Sequence, residues 1–210
     1  MLSLAAIGLR AFKGGAVAVG LVVESGEPRV LFSTSIGTAA DGDRLSLEPY
    51  RVAAEMERGP GGAVSAGAAA AVSEGRIRQA RLAGKGLQDM ARKMEDEGQR
   101  PTVGALLINR AGWITDLLDY SLAWPDHVPV AELLAVRDAI RSGLAQCGIG
   151  LVEVDEKSLF DVAADSLGRS NGEIEAHLKR LGLSAGKPWR KEQKLACLAA
   201  WVAARNACRS

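Results

Sequence analysis

The chain has 210 residues, 48% of them apolar, which is enough for one substantial core and excludes disorder of the chain as a whole. Lys and Arg number 26 against 25 Asp and Glu, so the net charge of +1 gives no global reason to expect nucleic acid or a membrane, and local charge must carry any such argument. Cys147, Cys197 and Cys208 are widely spaced and form no C-x-x-C pair, which speaks against a disulfide framework or a zinc site and for small apolar fillers in a reducing compartment.

No cationic start leads into a signal-type apolar run, and no apolar segment approaches the roughly 20 residues that span a bilayer. The expectation is a cytoplasmic protein with no membrane partner, forming one domain over residues 1–210. Residues 2 to 36 read as three Val- and Leu-rich strands in an antiparallel meander: one through Arg10, one over 16 to 23 and one over 29 to 36. Lys13-Gly14-Gly15 and "ESGEP" supply the two turns. Residues 37 to 62, rich in Gly, Asp, Glu and Pro, read as a long connection with one short helix.

From 63 to 94 a helical pattern runs, weakened by Gly67 and Gly75. Its second half sets Ala80, Ala83, Leu87, Met90, Ala91 and Met94 on one face and a basic stripe of Arg78, Arg81, Lys85 and Arg92 opposite. "TVGALLIN" (102 to 109) is a continuous apolar run bounded by turn signals, as in a strand buried on both faces. Residues 110 to 128, with Trp113, Trp124, Asp116, Asp119, Asp126 and His127, read as a structured loop. A helix over 130 to 146, closed by Gly148, leads into the strand "IGLVEVD" (149 to 155). Helices fill the remaining part, 156 to 210, including "SNGEIEAHLKRLG" with Ser170 and Glu173 at capping-box spacing and a last helix entered at Pro188.

This order, a three-strand meander followed by two parallel α/β units and a helical end, resembles the ribonuclease H-like superfamily, and among its members the Holliday-junction resolvases. The resemblance implies an α/β fold with a mixed five-stranded sheet and helices on both faces. The pieces "GLRAFKGG", "EPYRVAAEM", "HVPVAEL" and "KPWRKEQKLACLAAW" are also similar to those of bacterial proteins to which no activity is attached, and that likeness implies no reaction. Nucleases of the superfamily hold two divalent cations on carboxylates from the first strand, the end of the fourth strand and the closing helix, because two metal ions clamp the attacking and leaving oxygens of a phosphodiester. Here those positions fall on Arg10, on Asn109 and Arg110, and on Lys194 with Glu192 nearby. No acidic residue occurs before Glu24, so a first-strand carboxylate is absent. No metal site and no cofactor is expected.

A buried unpaired charge is too costly to keep. Arg10 therefore either hooks an anion bidentately at the open cleft of the sheet or pairs internally with Asp155 or another carboxylate, and Lys13 either joins a phosphate site there or is a solvated turn lysine. No phosphate-binding loop is present, since "GLSAGKP" (182 to 188) has the wrong spacing. Asp126, His127 and Glu132 form a second candidate group at a helix start, where His127 serves as a proton carrier or simply as a capping or packing residue; a Ser121, His127 and Glu132 triad lacks a nucleophile-elbow motif. The basic stripe on the long helix and a second cluster at Lys179, Arg180, Lys187, Arg190, Lys191 and Lys194 argue for a polyanion partner, or else are solvated helix faces. His177, in a charged helix, is expected at the surface.

Two functions follow. One is a non-catalytic ribonuclease H-like domain that binds nucleic acid or a protein partner, with homodimerisation through the apolar last helix also open. The alternative is a metal-dependent nuclease or other hydrolase that has relocated its carboxylates to Asp155 and Glu192 with Asp116, Asp119 or Asp126.

Overall fold

The computed structural model describes residues 4–109 and 113–207, so Arg110 and Cys208 lie outside the described residues. Strands β1 (Leu4–Phe12), β2 (Gly15–Glu24) and β3 (Glu27–Gly37) form the antiparallel meander. Its second turn is tighter than the sequence suggested: Ser25 and Gly26 alone connect the strands, both at positive φ, as a two-residue hairpin of the favoured twist requires.

β4 (Pro101–Ile108) pairs with β1 and β5 (Gly150–Asp155) with β4, both in parallel, giving the order β3-β2-β1-β4-β5. Parallel neighbours need crossovers, and these are the long helix α3 (Ala66–Asp96) and helix α5 (Val128–Gln146). Both lie on one face, where Ile7, Leu9 and Leu106 meet Leu87, Met90 and Met94 of α3 and Ile140 and Leu144 of α5. On the other face Ala6, Val19, Leu21, Ala105 and Leu107 pack against the last helix, α8 (Lys191–Ala207), with α6 (Leu159–Leu167) and α7 (Asn171–Ala185) beside it. The mixed five-stranded sheet with helices on both faces is therefore as expected.

Three segments differ from the sequence reading. The connection at 37 to 62 holds two helices, α1 (Arg44–Leu47) and α2 (Pro49–Ala54), and a 3-10 turn at Pro60–Gly62. They are short, but Tyr50 and Ala53 bury themselves against Val72, Val128 and Ala131 in a third apolar cluster. Gly75, which looked like a weakness in α3, admits this segment: a Cβ there would stand 2.5 Å from the Leu45 carbonyl oxygen.

The expected loop at 110 to 128 contains α4 (Leu117–Ala123), capped by Asp116, whose carboxylate accepts from the Leu118 and Asp119 amides, and a 3-10 turn at Pro125–His127 that runs straight into α5. Pro129 hid that start, yet proline is tolerated in a first helical turn. The last helix begins at Lys191 and not at Pro188, with Gln193 Oε1 accepting from the Arg190 amide at 2.9 Å. The capping box of α7 forms as its spacing predicted.

α8 buries every residue from Leu195 to Ala204 in its own sheet, so its apolar surface is not left over for a second copy. It comes down onto Gly8 of β1, where a Cβ would lie 1.8 Å from the Ala196 carbonyl oxygen. Among the described residues no helix is long and apolar enough to cross a membrane.

Replacing Gly8 by Ala must push α8 off the sheet and is expected to cost about 3 kcal/mol. Gly172→Ala, at a helical position where nothing lies within 4 Å of the new Cβ, is expected to be neutral or slightly stabilising. Urea unfolding of the two variants checks the contrast.

Candidate functional site

The carboxyl ends of the parallel strands β1, β4 and β5 lie side by side, the position where an open α/β sheet presents a cleft. Along β1, Ala6, Gly8 and Arg10 share the face covered by α8, because side chains alternate across a strand. Arg10 meets a carboxylate there. Its Nε donates to Glu156 Oε2 and its Nη2 to Glu156 Oε1, both at 3.0 Å, with the two side chains 29% and 22% exposed. The pair reaches from the end of β1 to the residue after β5, across the end of β4 between them.

Of the two sequence alternatives for Arg10, the structure has the internal pair, but with a different partner from Asp155. The partner is Glu156, in the turn just after β5. Asp155 instead accepts from the Lys157 amide at 2.9 Å and, with Asn109, Ser158 and Asp161, lines a neighbouring cleft of about 470 Å³.

The remaining described members of the expected cleft do not join Arg10, and Arg110 lies outside the described residues. Lys13 is exposed and paired with Glu48 at 2.6 Å. Glu48 also accepts from Arg44, and the hydrogen bonds from Lys13 and then Arg44 hold its carboxyl below the usual range. Lys194 lines a groove between α7 and α8, and Glu192 is half-buried in the first turn of α8. Among the described residues no three His, Cys, Asp or Glu side chains converge as metal ligands would. The one carboxylate beside Arg10 is held at both oxygens by a guanidinium, so these residues do not fit the metal pair that the resemblance implies.

The second candidate group is dispersed. His127 Nδ1 lies 2.8 Å from the Tyr120 carbonyl oxygen, so it carries the proton and donates it there, while the ring stacks on Tyr120 at 3.9 Å. Its place is that of a packing residue. Asp126 is exposed on the 3-10 turn, and the Ser121 hydroxyl donates to the Leu118 carbonyl, so the triad does not assemble.

Glu132 is buried, and its Oε1 accepts from the Tyr50 and Arg51 amides, both at 2.9 Å, capping α2 from 82 residues away. Its Oε2 finds no partner among the described residues. Burial pushes this carboxyl up to about 7, against the two amide hydrogen bonds that favour its charge.

Of the basic stripe on α3, Arg78 is neutralised by Glu74 and Asp43 at 2.8 and 3.1 Å, and Arg92 lies 3.6 Å from Asp89. Arg81 and Lys85 remain exposed, without a described carboxylate in ion-pair range. The second cluster is more coherent. Lys179, Lys191 and Lys194 line a groove of about 630 Å³, which continues into one of about 600 Å³ lined by Lys187 and Arg190 together with Lys179 and Lys194. None of these five is in an ion pair with a described carboxylate.

Trp189, in the wall of the groove, donates its indole N–H to the Leu178 carbonyl at 2.8 Å and ties the entrance of α8 to α7. His177 is not at the surface but half-buried, its ring 4.9 Å from that of Trp201, and burial pushes its pKa down. Cys197 is buried and pushed up to about 12, as an inert filler would be.

No family model and no curated protein matches this chain. Among solved structures, Thermus thermophilus RuvC superposes with a TM-score of 0.56 at 11% identity, over 98% of this chain and 96% of that one. The chain has a ribonuclease H-like fold. T. thermophilus RuvC in complex with a Holliday junction substrate superposes with a TM-score of 0.54 at 10% identity, over 99% of this chain and 96% of the other. The likeness of this ribonuclease H-like chain to the resolvases is thus one of architecture from end to end.

Two measurements test the site as described. In a double-mutant cycle, Arg10→Met leaves Glu156 half-buried and alone and is expected to cost about 2 kcal/mol, falling by about 1 kcal/mol when Glu156→Gln is already present. For Glu132 the folded-state value of about 7 lies above the ordinary 4.5, so the native state binds the extra proton. Its contribution to stability is present below pH 4.5 and is lost as the pH rises to 7, by roughly 3 kcal/mol in all. Glu132→Gln keeps an acceptor for the two amides and is expected to gain stability relative to the wild type between pH 5 and pH 8; parallel slopes in chemical denaturation would contradict this.

Proposed function

We propose that this protein is a non-catalytic ribonuclease H-like domain that binds the sugar-phosphate backbone of nucleic acid along the groove between α7 and α8. The observation that carries the reading is the run of five cations, Lys179, Lys187, Arg190, Lys191 and Lys194, around two adjoining grooves in which Glu175 is the one carboxylate among the described lining residues. Uncompensated cations along a groove attract phosphates by releasing their condensed counterions. Exposed Arg81 and Lys85 on the opposite face of the sheet offer a lesser second surface.

Catalysis is left out of the proposal because Arg10 stands where the resemblance puts the first metal-binding carboxylate. A permanent cation there repels metal ions, and its hydrogen bonds occupy both oxygens of Glu156. The neighbouring fold with a Holliday junction bound supports nucleic acid over a protein as the partner.

Fluorescence anisotropy with labelled four-way junction, duplex and single-stranded DNA tests this. Binding is expected at low salt, with affinity falling steeply as salt rises, and Lys179→Glu with Lys191→Glu and Lys194→Glu is expected to weaken it at least about 30-fold. Arg81→Glu with Lys85→Glu is expected to weaken it only a few-fold. No binding in 50 mM salt, or equal binding by the triple variant, would refute the groove as the interface. Manganese-dependent cleavage by the wild type would refute the non-catalytic part and favour relocated carboxylates.

A further inference from the structure

On the other face of the sheet, α5 carries a second guanidinium that the sequence reading passed over. Arg137 is 4% exposed, its Nε is wholly buried with no hydrogen-bond partner, and among the described residues no carboxylate pairs with it. It lies within electrostatic range of the Arg10–Glu156 pair but is not neutralised by it, and burial, with Arg141 next, pushes its pKa down. A buried cation without an anion is a costly arrangement to maintain.

Arg137 forms part of the wall of a cleft of about 570 Å³ between α5, the ends of β4 and β5, and the approach to α4. The charges of that wall can be followed individually. Asp138 is held by Arg76 at 2.8 Å and by Arg141 at 2.7 Å, while Glu153 accepts from Arg141 Nε at 2.7 Å. Among the described lining residues three cations therefore face two carboxylates that are already engaged, and the one positive charge in excess there is that of Arg137. Ile108, Leu117 and Leu134 give the same cleft an apolar side, and Asn109 adds an amide at its edge. The volume lies within the range of small-molecule sites.

We propose that this cleft binds a small organic monoanion, a carboxylic acid with an apolar body, whose carboxylate takes the hydrogen bonds that Arg137 does not make within the chain. One excess cation matches one negative charge, whereas a phosphate dianion would meet Asp138 and Glu153 in the same wall. A guanidinium and a carboxylate match as planar bidentate partners, and the apolar side of the cleft receives the body. The site is separate from the α7–α8 groove, so DNA binding and acid binding succeed or fail independently.

The test uses the full chain with hexanoate and benzoate as probes, their neutral counterparts hexanol and benzamide, and inorganic phosphate. Both acids are expected to raise the melting temperature saturably, as ligands of the native state do, and to shift the methyl NMR signals of Leu117 and Leu134. Hexanol, benzamide and phosphate are expected to do neither. Arg137→Met removes an unpaired buried charge at similar volume, so it is expected to fold at least as stably as the wild type and to bind the acids at least about tenfold more weakly by calorimetry. The proposal is overturned if neither acid binds the wild type, if phosphate or the neutral counterparts bind equally well, or if Arg137→Met binds as before. Should Arg137→Met fail to fold, the wild-type methyl shifts and the acid-against-neutral comparison decide the matter.

Discussion

The constraint on which the rest of the structure depends is the contact between Gly8 and Ala196. A helix normally rides above a sheet on its side chains, but here the α8 backbone comes down onto a strand residue that has no side chain. The alanines of "LACLAAWVAA" permit the descent, and the whole segment from Leu195 to Ala204 is buried as a result. This single close approach fastens the end of the chain over its first strand. It also fixes what stands further along the same face of β1: two residues beyond Gly8 comes Arg10, past that contact, with room for a long side chain and for Glu156 to reach it.

The charged groups of the molecule sort themselves by whether the fold supplies their counter-charges. Arg10, Arg78 and Lys13 each have a carboxylate, and for them the fold has already met the cost of a charged side chain. The cations around the α7–α8 groove and Arg137 in its cleft do not. For the groove the cost is low, because water solvates exposed ammonium groups, and the consequence is a long-range field suited to a polyanion. For Arg137 burial removes that solvation, and the consequence is a local demand for one anion. Glu132 is the opposite case, a buried carboxylate whose hydrogen-bond partners are two amides, and burial raises its pKa in spite of them.

Much of the architecture was legible in the sequence. The meander, both crossover helices, the apolar face of α3 and the α7 capping box all follow from periodicity and local capping chemistry, which are properties of neighbouring residues. The short helices α1, α2 and α4 were not legible, because each is stabilised by what it packs on. Tyr50 reads as an isolated aromatic in a polar stretch until Val72, Val128 and Ala131 close around it, and the cap of α2 comes from a glutamate 82 residues distant. His127 looked like chemistry because it sits before a helix near acids, but its ring and its proton are both taken up by Tyr120.

For the site, the sequence alone determined that a cation stands in the first strand, that no carboxylate precedes Glu24, and that the chain carries two basic clusters. Those are facts of composition and order, available without coordinates. Which carboxylate meets Arg10 was decided only by the tertiary structure, because Arg10 in β1 and Glu156 in the turn after β5 lie 146 residues apart in the chain and are brought together only by the sheet. Which basic cluster stays unneutralised, and that Arg137 is buried without a partner, were decided there too. The reason is the same in each case: a charge acquires its meaning from the groups within a few ångströms of it, and in this fold those groups come from elements far apart in the chain.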